Sequence, residues 1–277
     1  MGIGFSGLCA LRSVVLFPVI TLAFFPVAAN SAEIRIGGTG NAIGTMRLLG
    51  DAFTKAHPQT KVVILKSIGT SGAIKAVPKG AVDIGLSSRL LTDEETKSGI
   101  SATEYARTPV VFTVRTINTI KSITTAQIAD IYSAKMKTWP DGRPVRPVLR
   151  QPGDDNITLA ASLSPAIKQA LLDAEKIPGL PFAVTDQESA DKAESIPGSF
   201  SISTLALILS EKRKLRPLPL NGVEPTLENL ESGRYPLVRH FYFVLPKDPA
   251  PAVKEFIQFV KSPSGRELLK QTGHLVP

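Results

Sequence analysis

Short β-branched runs and amphipathic stretches alternate along this chain, the pattern of an α/β protein. Residues 34–38 predict a short strand, followed by a glycine-rich turn. Met46, Leu49 and Phe53 follow at helical spacing. Residues 61–66 (KVVILK) predict a second strand, and Gly69-Thr70-Ser71-Gly72 turns into a helix ending near Pro78-Lys79-Gly80. Residues 83–88 (DIGLSS) and 109–115 (PVVFTVR) are further strands. The start of this block reads β-α-β-α-β, which implies parallel strands with right-handed crossovers.

A second block starts near Asn118. Thr124 and Gln127 form a capping box before Ile128, Ile131 and Tyr132. Residues 145–150 predict a strand, with Asp154 or Asp155 as cap of the next helix. Ser164-Pro165 starts another helix through Ile167 and Leu171. Residues 196–203 read as a strand and 204–211 as a helix. Two prolines reduce residues 215–220 to an edge strand or none. Residues 239–245 (RHFYFVL) predict a buried strand, followed by helices carrying Val253, Phe256, Ile257 and Val260, then Leu268 and Leu269. A strong strand and helices at the end imply that the chain packs back on its first block. The expectation is two lobes, residues 33–117 with 236–277 and residues 118–235, joined by two crossings.

Composition adds the compartment. Arg12 is the only charged residue before Glu33, and an apolar stretch over residues 14–27 leads into Ala28, Ala29, Asn30, Ser31 and Ala32. That order is the signature of a secretory signal peptide over residues 1–32, cut after Ala29 or Ala32. A periplasmic location follows. Cys9 is the only cysteine and leaves with the signal, so disulfides and thiolate metal sites are excluded. The net charge of +8 suits anionic ligands, but the basic residues are scattered and export argues against nucleic acid.

Three turns share one design. Thr39, Asn41 and Ala42, then Thr70 and Ser71, then the stretch from Arg150 to Thr158 each precede a predicted helix, where free backbone N–H groups and the helix dipole favour an anion. Taken singly, such residues are helix caps. Two in consecutive β-α units point to an anion site at the carboxyl ends of the strands.

Residues 34–52, SIGTSGAIKAV (67–77) and VDIGLSSRLL (82–91) resemble the opening of the phosphate-binding proteins of ABC transporters, and TTAQIADIYSAKMKTWPDG (124–142) is similar to a later segment of that family. The resemblance implies the two-lobed type II periplasmic binding protein fold, each lobe a mixed sheet flanked by helices. It also implies that Arg150 grips the anion beside Thr70 and Ser71. Three places depart. Asn41, Ala42 and Ile43 occupy the first turn, where the family has a Thr and an aromatic; Ser88, followed by Arg89, stands where the family keeps an Asp that accepts the proton of hydrogen phosphate; and Asp154-Asp155-Asn156 replaces a Ser-Gly-Thr turn.

Three arrangements fit these departures. Asp154 supplies the missing carboxylate while Arg89 and Arg150 hold the anion, the arrangement we favour. Alternatively Asp154 and Asp155 are caps and the anion is unprotonated or different. In the third, the acidic lip rejects phosphate and selects a ligand carrying a donor. Enzyme readings fail in the sequence: Gly69-Thr70-Ser71-Gly72-Ala73 lacks the final glycine of a nucleophile elbow, and His57, His240 and His274 fit no metal spacing. The expectation is therefore a monomeric binding protein without cofactor, capturing a small inorganic or phosphate-like anion for an ABC permease or a membrane sensor.

Overall fold

A computed structural model describes residues 1–4, 7 and 32–277; the expected signal peptide lies almost wholly outside the described residues. From Ala32 the predicted alternation appears. Strand β1 (Ala32–Gly38) leads to α1 (Gly40–Ala56), then β2 (Thr60–Ile64), α2 (Gly69–Ala76) and β3 (Ile84–Ser87). β1 pairs in parallel with both β2 and β3, as the β-α-β-α-β reading requires. The turn from β1 into α1 needs glycine: a Cβ on Gly38 would lie 2.1 Å from the Leu86 carbonyl oxygen.

The short helix α3 (Asp93–Thr96), which the sequence reading lacked, carries the chain into β4 (Ile100–Arg115). At sixteen residues β4 is far longer than expected. Then come α4 (Thr125–Tyr132), the two-residue strands β5 (Arg146–Pro147) and β6 (Leu149–Arg150), α5 (Asp155–Ala161), α6 (Pro165–Ala174), β7 (Phe182–Ala183) and α7 (Asp186–Ser195). The expected strand over 145–150 is thus split, β5 pairing with β8 (Ser199–Thr204) and β6 with β7. After α8 (Leu205–Ser210), β9 (Leu215–Pro217) pairs only with β4, the edge position its prolines dictate. Helix α9 (Leu227–Glu231) precedes β10 (Val238–Pro246), and α10 (Pro251–Lys261) and α11 (Pro263–Gln271) close the chain.

The main sheet runs β2-β1-β3-β10-β4-β8-β5. β10 lies antiparallel between β3 and β4, so the C-terminal strand does return to the first block. Two large apolar clusters flank it. One gathers Ile34, Met46, Phe53 and Leu86 with Tyr105, Phe241, Phe243 and Phe256. The other gathers Val110, Phe112, Tyr132, Trp139, Ile167, Phe200 and Leu207. β4 contributes Tyr105 and Ala106 to the first and Val110 to Val114 to the second, so one continuous strand runs from one core to the other. Trp139 and Tyr132 are buried in the second of these cores, Trp139 donating from Nε1 to the Gly198 carbonyl. Among the described residues no helix is long and apolar enough to cross a membrane.

Candidate functional site

A cavity of about 360 Å³ opens where α1, α2, α5 and α7 begin. Thr39 and Ile68 hold the N-cap positions of α1 and α2, and neither side chain caps its helix. The first-turn N–H groups of these helices are therefore left for outside partners. Seven of the nine expected residues border the cavity: Thr39, Asn41, Thr70, Ser71, Arg89, Arg150 and Asp154. Ala42 does not. Its side chain packs in the core and its N–H reaches the Thr39 carbonyl, because it lies one step further round the helix. Ser88 stands behind the wall, bonded to Thr70 Oγ1 at 2.8 Å.

Pairing of β6 with β7 fixes the centre of the site. The register sets Arg150 beside Ala183, and three residues later α7 begins at Asp186. The Arg150 side chain is only 5% exposed. Its Nε and Nη2 donate to Asp154 Oδ2 at 3.1 and 2.5 Å, and Nη2 also reaches Asp186 Oδ1 at 3.2 Å. Its Nη1 is buried with no partner. A guanidinium donor buried without an acceptor is costly, and an oxyanion is its natural complement.

Asp154 is not the carboxylate that meets Ser88. Its Oδ1 caps α5, accepting from the N–H groups of Asn156 and Ile157 at 3.0 and 3.3 Å, and its Oδ2 is held by Arg150. The neighbouring Asp155 faces the other way. Its Oδ2 accepts from Ser88 Oγ and lies 3.5 Å from Thr70 Oγ1. The helical turn between cap and first residue decides this. Arg89 also departs from expectation: Glu95, from α3, takes its guanidinium with both oxygens at 2.8 Å. That contact holds the Glu95 carboxyl down at about 2, leaving Arg89 a paired charge at the rim.

Three further residues were missed. Asp186 accepts the Asn41 N–H at Oδ2, 3.1 Å away, so it caps α1 from another helix. Burial pushes its carboxyl up to about 6, with Arg150 opposing and Asp154 adding to the rise. Asn156 donates to Asp186 at 3.4 Å and accepts from Arg239 Nη2 at 2.8 Å. Arg239, on β10, is buried beneath, and burial pulls its pKa down from the ordinary value. The Asn41 side chain points away, its Oδ1 accepting from Thr204. The three histidines are scattered: His57 stacks on Phe53, His240 bonds Glu104, and His274 is buried. Among the described residues no cluster of His, Cys, Asp or Glu suits a metal ion.

A mixed sheet flanked by helices on both faces, with helix N-termini gathered at one cavity, is the type II periplasmic binding protein fold. A family model described as a PBP superfamily domain matches residues 25–264, and the chain belongs to that superfamily. Among solved structures, a phosphate ABC transporter substrate-binding protein from Clostridium perfringens with bound phosphate superposes with a TM-score of 0.73 at 22% identity, covering 88% of this chain and 99% of that one. The periplasmic molybdate-binding protein of Azotobacter vinelandii gives 0.62 at 16%, covering 88% and 99%. The phosphate-binding protein PstS of Bacillus subtilis is 24% identical over 243 residues, 84% of this chain and 76% of that protein. The phosphate-binding protein PstS 2 of Streptococcus agalactiae is 27% identical over 124 residues, 45% of this chain and only 42% of its own length. The resemblance read from residues 34–150 is thus matched by relatives that carry that name.

Proposed function

We propose that this protein captures a phosphate-type oxyanion in the cavity at Arg150 and presents it to an ABC permease outside the cytoplasm. One observation carries the reading: Arg150 borders the cavity with a buried, partnerless Nη1, beside α2, whose N-terminus has no side-chain cap, and α1, capped only from outside by Asp186. Thr39, Thr70 and Ser71 line the cavity beside it and supply hydroxyls. In this reading residues 33–117 with 236–277 and residues 118–235 are lobes that close on the anion, hinged where β4 and β10 pass between the two apolar cores. That is capture, not catalysis, and the chain acts as a monomer.

Thermal unfolding with phosphate, sulfate, molybdate and phosphonates tests the proposal. An anion that binds only the folded protein adds about 2.7 kcal/mol at a hundred times its Kd, a readable rise in Tm. Phosphate-class anions should raise Tm in the wild type and not in Arg150→Met. If none of these anions shifts Tm, the reading is wrong.

A further inference from the structure

The cavity holds more negative charge than an anion receptor needs. Its one buried lining cation is Arg150, with Arg239 buried beneath, since Arg89 is matched by Glu95. Against them stand Asp154, Asp155 and Asp186. Asp154 is spent on capping α5 and on Arg150, and Asp155 on Ser88. Asp186 does something different. Its carboxylate takes the Asn41 N–H at the start of α1, the Arg150 Nη2 and the Asn156 amide. These are donors of the kind an oxyanion takes, and a carboxylate of the protein already holds them.

Asp186 has little room to swing aside. Its side chain is 11% exposed. It lies so close to α1 that a Cβ on Gly40 would sit 2.7 Å from its Oδ2. The next residue locks the helices together, Gln187 Nε2 donating to the Gly40 carbonyl at 2.8 Å and to Glu211 at 2.9 Å. The Nη1 of the same Arg150 is a separate buried donor that still lacks an acceptor.

We propose that Asp186 couples anion capture to proton uptake: it holds the Asn41, Arg150 and Asn156 donors as a carboxylate and becomes protonated when the oxyanion arrives. The inference rests on the reading of the cavity as an anion site. An anion and a carboxylate sharing one guanidinium in a dry pocket repel, and the cheaper state neutralises the group that cannot leave. The proton comes from solvent, and the protonated Asp186 then offers the anion a donor in place of a competing charge. The groups facing Asp186 are Arg150 on β6, Asp154 before α5, Arg239 on β10 and the Asn41 N–H on α1. Two cations and one anion leave little margin. Burial outweighs them and already holds the carboxyl near about 6, so a modest further push protonates it at neutral pH.

Calorimetry with inorganic phosphate tests this, comparing wild type and Asp186→Asn in buffers of unlike ionisation enthalpy. Phosphate's own titration cancels in the comparison. For a group titrating near 6, the ratio of wild-type to variant Kd should grow about 25-fold from about pH 5.5 to about 7.5, and the wild type should take up about one more proton per phosphate at the upper end. A flat ratio with equal proton counts overturns the inference. The ¹³C shift of the Asp186 carboxyl needs no variant. It should move to the protonated position on adding phosphate, and a signal that stays at the carboxylate position overturns the inference. Phosphate bound by neither protein overturns the anion reading and this inference with it, whereas binding without coupling overturns the inference alone.

Discussion

Asp154→Asn should lower the stability of the ligand-free protein and tighten its hold on an anion, two effects of opposite sign from one atom exchange. The cap on α5 survives, because Asn and Asp cap about equally well and one oxygen remains for the Asn156 and Ile157 N–H groups. What is lost is Oδ2, which accepts from Arg150 Nε and Nη2 at 3.1 and 2.5 Å. The two side chains are 5% and 9% exposed, so water does not screen the pair. Removing one partner of a buried ion pair costs roughly 3–5 kcal/mol. Here Asp186 still faces Arg150 at 3.2 Å, which reduces the expected loss to about 2–3 kcal/mol, the scale of hydrogen bonds to charged groups. At about 2–4 °C per kcal/mol for a chain of this size, Tm should fall by about 4–12 °C. The freed Nε/Nη2 edge is the fork that oxyanions fit, and one repelling charge is gone. Phosphate affinity should therefore rise about tenfold, ~1.4 kcal/mol. Thermal unfolding without ligand and calorimetry with phosphate read the two effects separately. A stability unchanged within ~0.5 kcal/mol would show that the pair holds nothing. Joint loss of stability and affinity would show that Asp154 aims Arg150 at the ligand instead of competing for it.

Other perturbations isolate single contacts. Ser71→Ala should weaken anion binding by about 1 kcal/mol with Tm unchanged, since Ser71 borders the cavity while its neighbour Thr70 is tied to Ser88; an equal fall in Tm would return Ser71 to a structural role. Gly40→Ala places a Cβ 2.6 Å from Gln187 Oε1 and 2.7 Å from Asp186 Oδ2, so overpacking should cost about 1–3 kcal/mol in urea unfolding, and a silent substitution would mean that the α1–α7 contact is loose. His274 is buried and burial pulls its pKa down to about 4. As pH falls below about 6.5 the unfolded chain takes the proton first, so this contribution is intact above about 6.5 and lost progressively towards about 4, roughly 3 kcal/mol in all. Urea titrations across that window should show the slope in wild type and a flatter one in His274→Gln; identical slopes would refute the assignment.

The sequence exposes those parts of the fold whose signals are local. Parallel strands β1 to β3 follow from apolar runs broken by glycine turns, and β9 sits at an edge because Pro217 and Pro219 forbid better. Helix α7 was invisible to periodicity, because only Ser189, Ala190 and Ala193 turn inwards and their small side chains leave no apolar stripe. A signal did exist: Thr185 caps α7 and Glu188 stands three residues later, the spacing of a capping motif. Reading it would have placed Asp186 at a helix start. Arg239 hid inside RHFYFVL, where a charge at the head of an otherwise apolar strand is itself the clue to a buried partner. The β6–β7 pair that unites Arg150 with Asp186 is two residues long on each side, too short for any pattern.

Ser88 and Asp155 show most clearly what a linear reading cannot supply. The resemblance implies a carboxylate at the end of β3, and here that position is a hydroxyl. The carboxylate that reaches Ser88 comes instead from the first residue of α5. β3 contributes Ile84 and Leu86 to one core, while α5 contributes Ala160 to the other. A carboxylate built into β3 would hold its place whatever the second core does. The Asp155–Ser88 bond instead joins two elements that pack into different cores, and Thr70 Oγ1, bonded to Ser88 at 2.8 Å, shares in it. The acidic wall of the site thus draws its carboxylate from an element of one core and its hydroxyl from an element of the other. One Asp→Ser exchange, read at its own position, looks like a loss; in three dimensions a carboxylate distant in sequence meets the hydroxyl that stands there.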